Sequence, residues 1–250
     1  MSFATWLGLA IVFLLLALMI AFRVALRARP GHELRLIRPY WRLQRALSEA
    51  VESGQQIHIT LGHGEMTGPR SAAGIIGLTA AERIGQMAAV ADQTPVVSSG
   101  TGALGLLAQG ILHATFAESG AASRYRPDLA PVVGLTPYAY AAGAMLIAAQ
   151  PSTATTVMLG SLGPEAALIA DAAEQNQQLV VAGTDHVPTQ AVLYAAAEEP
   201  LIGEEIFAAG AYLGKDPLHN ASLQAQDVLR WVLIGAMVLG GLLNLIGGWW

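Results

Sequence analysis

Long apolar runs lie at both ends of the chain, and between them short β-branched runs alternate with alanine-rich ones. The first run, from Met1 to Phe22, carries no charged side chain. Extended to residue 26, it is long enough, at about 1.5 Å per helical residue, to cross a hydrocarbon core of about 30 Å. The second run, from Trp231 to Trp250, is also uncharged. The pattern predicts a transmembrane helix at each end of the chain.

The alternative for the first run is a secretory signal peptide. Such a peptide has a basic stretch before a short apolar core and a small-residue cleavage site after it. Here the charges follow the apolar run, beginning at Arg23. We therefore expect the first run to remain in the protein as a membrane anchor.

Between the two runs, strand-like and helix-like segments alternate. Short runs rich in β-branched residues predict strands at 57–61, 94–98, 131–135, 155–159 and 179–182. Amphipathic or alanine-rich segments predict helices at 40–53, 71–91, 101–118, 137–149, 164–176, 188–197 and 203–213. Strands without polar alternation belong to a parallel sheet covered on both faces. Right-handed crossovers then predict an α/β fold, with a doubly wound, Rossmann-like sheet of about five strands inserted between the two transmembrane helices.

The predicted organisation has four parts. Residues 1–26 form the first transmembrane helix, and residues 27–54 form a basic juxtamembrane segment with a linking helix. Residues 55–216 form a cytoplasmic α/β domain. Residues 217–250 form a linker and the second transmembrane helix.

The charge is distributed unevenly along the chain. Seven of the thirteen basic residues lie between Arg23 and Arg45, where only Glu33 opposes them. Basic residues beside a span favour the cytoplasmic side. We therefore expect a two-span protein of a bacterial inner membrane, with the α/β domain in the cytoplasm and both termini outside. The residues expected at the membrane interface, in contact with lipid, are Arg23, Arg27, Arg29, Arg35, Arg38, Trp249 and Trp250.

Composition excludes several kinds of chemistry. From Ala46 to Asp227 there are seventeen acidic and five basic residues, which argues against nucleic acid as a partner because a phosphate backbone needs clustered Lys and Arg. The chain has no cysteine, which excludes disulfides, thiolate nucleophiles and cysteine metal sites.

Small residues are frequent in the predicted helices. Ala236 and Gly240 have the spacing of packed transmembrane helices. In the alanine-rich helix 71–91, the glycines at 74, 77 and 85 predict close packing. We expect a homo-oligomer that forms through the transmembrane and Ala/Gly-rich helices, with contact between the two spans of one chain as the alternative for the second span.

Glycine-rich turns follow the predicted strands, at the edge of the sheet where ligands bind in doubly wound folds. Residues 100–105 match the dinucleotide pattern G-x-G-x-x-G between a strand and a helix. The acidic residue that should end the next strand is missing, and the alternative is that these glycines serve tight turns only. The candidate ligand-binding residues, for a nucleotide or another small anion, are Ser99, Gly100, Thr101, Gly102, Gly105 and Thr184.

A second group of candidates combines imidazole and carboxylate. His63 with Glu65, and Asp185 with His186, follow strands that we expect to be neighbours, where they could share a metal or act as a general acid–base pair. The alternative is hydrogen bonding within loop ends or a subunit contact, so no catalytic residue is assigned and the sequence requires no cofactor or metal. His58, inside a predicted strand, is expected to be buried with its hydrogen bonds satisfied.

The run from Leu201 to Leu213, with Ala182-Gly183-Thr184 before it and an apolar span at each end, resembles an uncharacterised bacterial membrane-protein family, a domain of unknown function with two transmembrane helices around an α/β domain. The resemblance covers nearly the whole chain. It implies the two-span architecture and implies no activity.

Three hypotheses follow. The leading one is a non-enzymatic, self-associating structural or organising scaffold in the membrane. The alternative is a membrane-tethered domain that binds a nucleotide or other anionic ligand at the strand-end turns. A third is a hydrolase or metal enzyme that uses His63, Glu65, Asp185 and His186.

Overall fold

The computed structural model describes residues 35–64, 66–68, 71–214 and 217–247, together with 5–6, 8–9, 12–14, 16–18 and 20–21. The chain divides into two units. Leu36–Gly214 forms an α/β unit, and Met1–Arg35 with Lys215–Trp250 forms the other. The amphipathic helix that follows the basic segment therefore belongs to the α/β unit.

The α/β unit is built on one sheet of five parallel strands, in the order β2-β1-β3-β4-β5. The strands are β1 (Gln56–Gly62), β2 (Val96–Ser98), β3 (Thr153–Ser161), β4 (Leu179–Thr184) and β5 (Glu199–Leu201). The predicted α/β fold with five parallel strands is confirmed. This order is one of the two common ones in doubly wound sheets, and its winding reverses between β1 and β3.

Helices cover both faces of the sheet. They are α1 (Arg38–Ser53), α2 (Ser71–Ala88), α3 (Gly102–Glu118), α4 (Pro137–Ala148), α5 (Ala166–Gln175), α6 (Val187–Ala196) and α7 (Ala209–Gly214), with 3-10 helices at Ala122–Arg124, Pro127–Leu129 and Gly203–Ala208. Helices α1, α2 and α7 pack on one face, and α3 packs beside α2. Helices α4, α5 and α6 cover the other face, where their alanines pack against Met158, Val180 and Ala182 of the sheet.

Two strands differ from the prediction. The strand expected at 131–135 is wrong: in this segment only Val132 pairs, in an isolated bridge with Ser99 at the edge of the sheet. Pro131 has no N–H to donate, and Gly134 packs directly on the backbone of Ala139, so the chain turns into α4. In its place the sheet gains β5, a three-residue edge strand with Pro200 at its centre.

An ion cluster joins β5 to helix α1. Glu199 is 4% exposed, and its carboxylate lies 2.7 Å from Arg42 and 3.2 Å from Arg38. Arg42 also contacts Glu198 at 2.6 Å. The hydrogen bond to Glu199, and to a smaller extent the one to Glu198, raises the pKa of Arg42 above its usual value. The pairing supplies the countercharge that a buried carboxylate requires. Arg38, which was expected at the lipid interface, pairs with Glu199 within the α/β unit.

Close backbone contacts between α2 and β3 depend on glycine. A β-carbon on Gly77 of α2 would overlap the carbonyl oxygen of Leu159. Gly160, with φ of 155°, would likewise overlap the carbonyl oxygen of Leu61 in β1. The close packing predicted for Gly77 is confirmed, and it brings the carboxyl ends of β1 and β3 under α2.

The second unit contains α8 (Pro217–Gly247). Within the described residues, His219–Leu242 is the one helical segment that is long and apolar enough to cross a membrane. Large apolar side chains are exposed along it, among them Trp231 and Met237. The first predicted span, residues 1–26, falls largely outside the described residues, as do Arg23, Arg27, Arg29, Trp249 and Trp250.

Candidate functional site

The reversal of winding between β1 and β3 directs attention to the carboxyl ends of these strands. Crossovers leave the two strands toward opposite faces of the sheet, and ligands in such folds bind in the crevice that results. Here the turn after β1 contains His63, and the turn after β2 runs from Ser99 to Gly102. These turns contact each other, because the Gly100 amide donates to the Gly62 carbonyl at 2.9 Å.

A chain of buried hydrogen bonds runs beneath this crevice, on the face of β1 that α4 covers. His58 Nε2 lies 2.8 Å from Ser98 Oγ, and Ser98 Oγ donates to Thr60 Oγ1 at 2.9 Å. Thr60 in turn shares a hydrogen bond with the hydroxyl of Tyr140, which also accepts the amide of Gly62 at 3.1 Å. None of these four side chains is exposed. We call this set the His58–Tyr140 chain.

The order of donors and acceptors in the His58–Tyr140 chain determines which ring nitrogen of His58 carries the proton. Because the Ser98 hydroxyl proton is donated to Thr60, Ser98 Oγ accepts from His58, which therefore carries its proton on Nε2. Its buried Nδ1 is then an acceptor, and it has no hydrogen-bond partner among the described residues. Burial lowers the pKa of His58 to about 3. His58 is thus a neutral structural group at physiological pH, and its expected full satisfaction is wrong for Nδ1.

Tyr140 links the His58–Tyr140 chain to the crevice. Its ring meets His63 edge-on, with the centroids 5.2 Å apart. Burial raises the pKa of the Tyr140 hydroxyl well above its usual value, an effect to which the Glu165 carboxylate adds, while hydrogen bonds from Thr60 and Gly62 act in the opposite direction. Tyr140 is therefore a neutral phenol that positions the neighbouring imidazole.

His63 is the candidate imidazole that lies at the crevice. Its ring packs on Gly100 so closely that a β-carbon there would overlap it. Its Nε2 atom is buried and has no hydrogen-bond partner within the part of the chain that the structure describes. This ring nitrogen lies against Gly100, just before α3, and a ligand at the helix amino terminus would reach it only after the His63 side chain turned.

The glycines of the dinucleotide-like turn have different roles. Gly105 packs on Val132, as Gly100 does on His63, so both are explained by close packing. A β-carbon on Gly102 would meet nothing within 4 Å, which leaves open space before the first turn of α3. Thr101 begins the helix and accepts the Leu104 amide at 3.5 Å. Ser99 is fully buried.

The last residue of β4 and the two that follow it lie apart from His63. Thr184 is buried and accepts the Leu162 amide at 3.1 Å, a structural role. Asp185 Oδ1 is buried without a partner among the described residues, and His186 Nδ1 lies 2.7 Å from Thr189 Oγ1. Strand β3 separates β1 from β4, so at about 4.8 Å per strand their ends are about 10 Å apart.

The expectation that His63 and the Asp185–His186 pair follow neighbouring strands is wrong, because β3 lies between β1 and β4. Glu65 lies outside the described residues. Within those residues no group of three or more His, Asp or Glu side chains is placed to hold a metal ion.

Two groups at this edge escaped the sequence analysis. Tyr140 comes from an alanine-rich helix, where a single inward tyrosine is a signal, because its hydroxyl must find a partner when buried. Glu165 is 6% exposed and accepts the amide of Gly163 at 3.2 Å. It lies at the start of the predicted helix 164–176, where an acidic residue is common, and nothing in the local sequence distinguishes an exposed carboxylate from a buried one.

The chain belongs to the family described as "Domain of unknown function (DUF6754)", whose model matches residues 3–250. The expected relation to a family of unknown function is confirmed. No curated protein and no solved structure matches the chain.

We expect His58 to make folding stability depend on pH. In the unfolded chain His58 has its ordinary pKa of about 6.5 and takes up a proton that the folded protein excludes until about pH 3. Because the unfolded state binds more protons, stability falls as pH falls. Between pH 7 and pH 5 the loss due to His58 is about 2 kcal/mol.

Urea unfolding of the full chain in mild detergent at both pH values measures this loss. The His58→Gln variant keeps an amide donor for Ser98 but does not titrate. Its free energy of unfolding should therefore fall by about 2 kcal/mol less than that of the wild type between pH 7 and pH 5. Equal losses in the two proteins would contradict the assignment of a buried neutral imidazole.

Proposed function

We propose that this member of a family without an assigned activity is a membrane-anchored scaffold whose α/β unit self-associates. Two spans, at residues 1–26 and within α8, would hold the unit on the cytoplasmic side of a bacterial inner membrane, with both termini outside. The uncharged outward faces of three helices are the observation that carries this proposal.

Helices α3, α4 and α6 lack the charged surface of an ordinary soluble domain. From residue 102 to 117, and throughout α4 and α6, there is no acidic side chain, lysine or arginine. Large apolar side chains nevertheless face outward: Leu106 is 71% exposed, Leu146 74% and Tyr194 70%. Exposed large apolar side chains on uncharged helices are typical of surfaces that contact another molecule. A second copy supplies an equivalent uncharged surface, as symmetric oligomers require.

The anchoring part of the proposal is supported by α8 and by the basic residues. The exposed apolar side chains of His219–Leu242 suit lipid. The basic residues from Arg23 to Arg45 favour retention of the adjoining segment in the cytoplasm.

Native mass spectrometry of the full chain in mild detergent tests self-association. We expect one discrete assembly for the wild type and smaller species for a Leu106→Glu, Leu146→Glu double variant. Both positions are exposed in one chain, so the fold should be retained, whereas a carboxylate buried between chains without a partner costs several kcal/mol.

Leu168→Glu provides the matched control. Leu168 is 45% exposed on α5, whose outward surface already carries Asp171 and Glu174, so this change should leave the assembly intact. A monomeric wild type at micromolar concentration would refute self-association. An assembly that the double variant leaves unchanged would exclude these two helices from the contact.

The absence of cysteine allows a clean test of topology. We expect a membrane-impermeant maleimide to label Ser2→Cys in intact bacterial cells. Ser123→Cys, at an exposed position of the α/β unit, should react only after the membrane is permeabilised. Labelling of Ser123→Cys in intact cells would contradict a cytoplasmic α/β unit.

A second candidate function is the binding of a small anion at the carboxyl ends of β1 and β2. It is favoured by the open space before the first turn of α3, where a β-carbon on Gly102 would meet nothing within 4 Å. Backbone amides at a helix amino terminus, together with an imidazole, can bind a phosphate group.

Thermal unfolding with pyrophosphate tests this candidate. Stabilisation should grow with concentration as RT ln(1 + [L]/Kd). Gly102→Val should abolish the shift, because the side chain fills open space that the anion would occupy, while the fold is preserved.

Gly110→Val is the matched control, since Gly110 lies in the same helix with nothing within 4 Å of an added β-carbon. If pyrophosphate stabilises Gly102→Val as much as it stabilises Gly110→Val, the anion binds elsewhere.

A further inference from the structure

The outward face of α1 carries an aromatic side chain between two arginines. Arg38, Trp41 and Arg45 follow each other at the spacing of three and four residues that places side chains on one side of a helix. All three are exposed, whereas Leu43 and Leu47, on the other side, are fully buried. We call these three residues the α1 stripe. One exposed tryptophan is ordinary on a protein surface, so its surroundings decide what it contacts.

Charge is divided along α1. From residue 35 to residue 45 there are four arginines and no acidic side chain, and the two acidic residues of the helix, Glu49 and Glu52, both follow. The exposed side chains of the first part are therefore basic or apolar, and Leu36 is among the apolar ones. Tryptophan and leucine flanked by arginine are typical of a helix that lies at a membrane surface.

The ion pairs of the α1 stripe leave its arginines accessible. Arg38 contacts Glu199 through Nε, yet its side chain is 75% exposed, while that of Glu199 is 6% exposed. Arg45 pairs with Glu49 at 2.8 Å on the surface, a kind of pair that contributes less than about 1 kcal/mol. Both guanidinium groups can therefore reach a lipid phosphate, which arginine binds through two parallel hydrogen bonds.

The length of the connecting chain keeps α1 near a bilayer that holds the two predicted spans. Leu36 follows the end of the first predicted span, residue 26, by ten residues, at most about 36 Å of extended chain. Gly214, the last residue of α7, precedes His219 by five residues, at most about 18 Å. Both connections leave from adjacent helices, because the ring of Tyr40 in α1 stacks on that of Tyr212 in α7 at 5.1 Å.

We propose that the α1 stripe lies in the headgroup layer of the bilayer that anchors the chain. Trp41 then sits at the boundary between headgroups and acyl chains, where tryptophan is enriched. Arg38 and Arg45 donate to lipid phosphates on either side of it. This contact rests on the anchoring part of the proposed function and is independent of self-association through α3, α4 and α6.

Spin labelling of the full chain in phospholipid nanodiscs tests this contact, and the chain has no native cysteine to interfere. A nitroxide at Trp41→Cys reports collisions with oxygen, which concentrates in lipid, and with a nickel chelate, which stays in water. A nitroxide at Gln175→Cys, on the exposed side of α5 and on the other face of the sheet, is the aqueous reference. We expect more oxygen collisions and several-fold fewer nickel collisions at position 41 than at position 175.

A charge reversal tests the part played by arginine. Arg45→Glu in the labelled Trp41→Cys protein should raise nickel collisions toward the value at position 175, because lipid phosphates repel a carboxylate. Arg126→Glu is the matched control and should leave them unchanged. Arg45 and Arg126 are both 68% exposed and each pairs with one carboxylate, but Arg126 precedes the 3-10 helix that packs on β2, at the far edge of the sheet from β5.

Elution of the labelled chain together with the nanodiscs reports anchoring separately, so loss of the α1 contact can be told from loss of the anchor. For an anchored chain, collision rates at position 41 equal to those at position 175 would place Trp41 in water and overturn the proposal. Few collisions with either reagent would place it against protein, such as a second copy, and overturn it as well. Equal nickel collisions in Arg45→Glu and Arg126→Glu would remove the phosphate contact.

Discussion

The arrangement of the α/β unit depends on one set of interactions, the His58–Tyr140 chain. A sheet covered on both faces excludes water from every polar side chain that points inward, so each must find a partner inside the protein. The Tyr140 hydroxyl connects α4 to β1, and Ser98 extends the connection to β2. The same hydroxyl accepts the amide of Gly62 and so holds the turn that presents His63.

The elements that sequence patterns predicted well are those whose own composition requires burial. The β-branched centres of β1 and β3 could hardly be exposed, and Gly54 ends α1 in the left-handed conformation that glycine favours. The segment at 131–135 has the same composition but contains Pro131 and Gly134, and it is shaped by contact with α4. Strand β5 was not predictable from its own residues, because a three-residue segment with Glu199 and Pro200 has no strand pattern, and its buried carboxylate is paired by Arg38 and Arg42 from distant α1.

The candidate site was predictable in part for a similar reason. Turns that follow strands must meet at one edge of a parallel sheet, so the positions of His63 and Gly100 could be expected. Which turns are neighbours depends on strand order, and β3 separates residues that looked adjacent. Tyr140 is 80 residues away from Thr60, its partner. Only the packing of α4 on the sheet joins them, and no local pattern encodes that contact.

The edge strand β5 has a consequence for how the protein can associate. Its three residues contain Pro200, which has no N–H with which to recruit a further strand. Short edges interrupted by proline resist the growth of one sheet onto another. At this edge of the sheet, contact with another molecule is therefore limited to side chains and does not extend the backbone ladder.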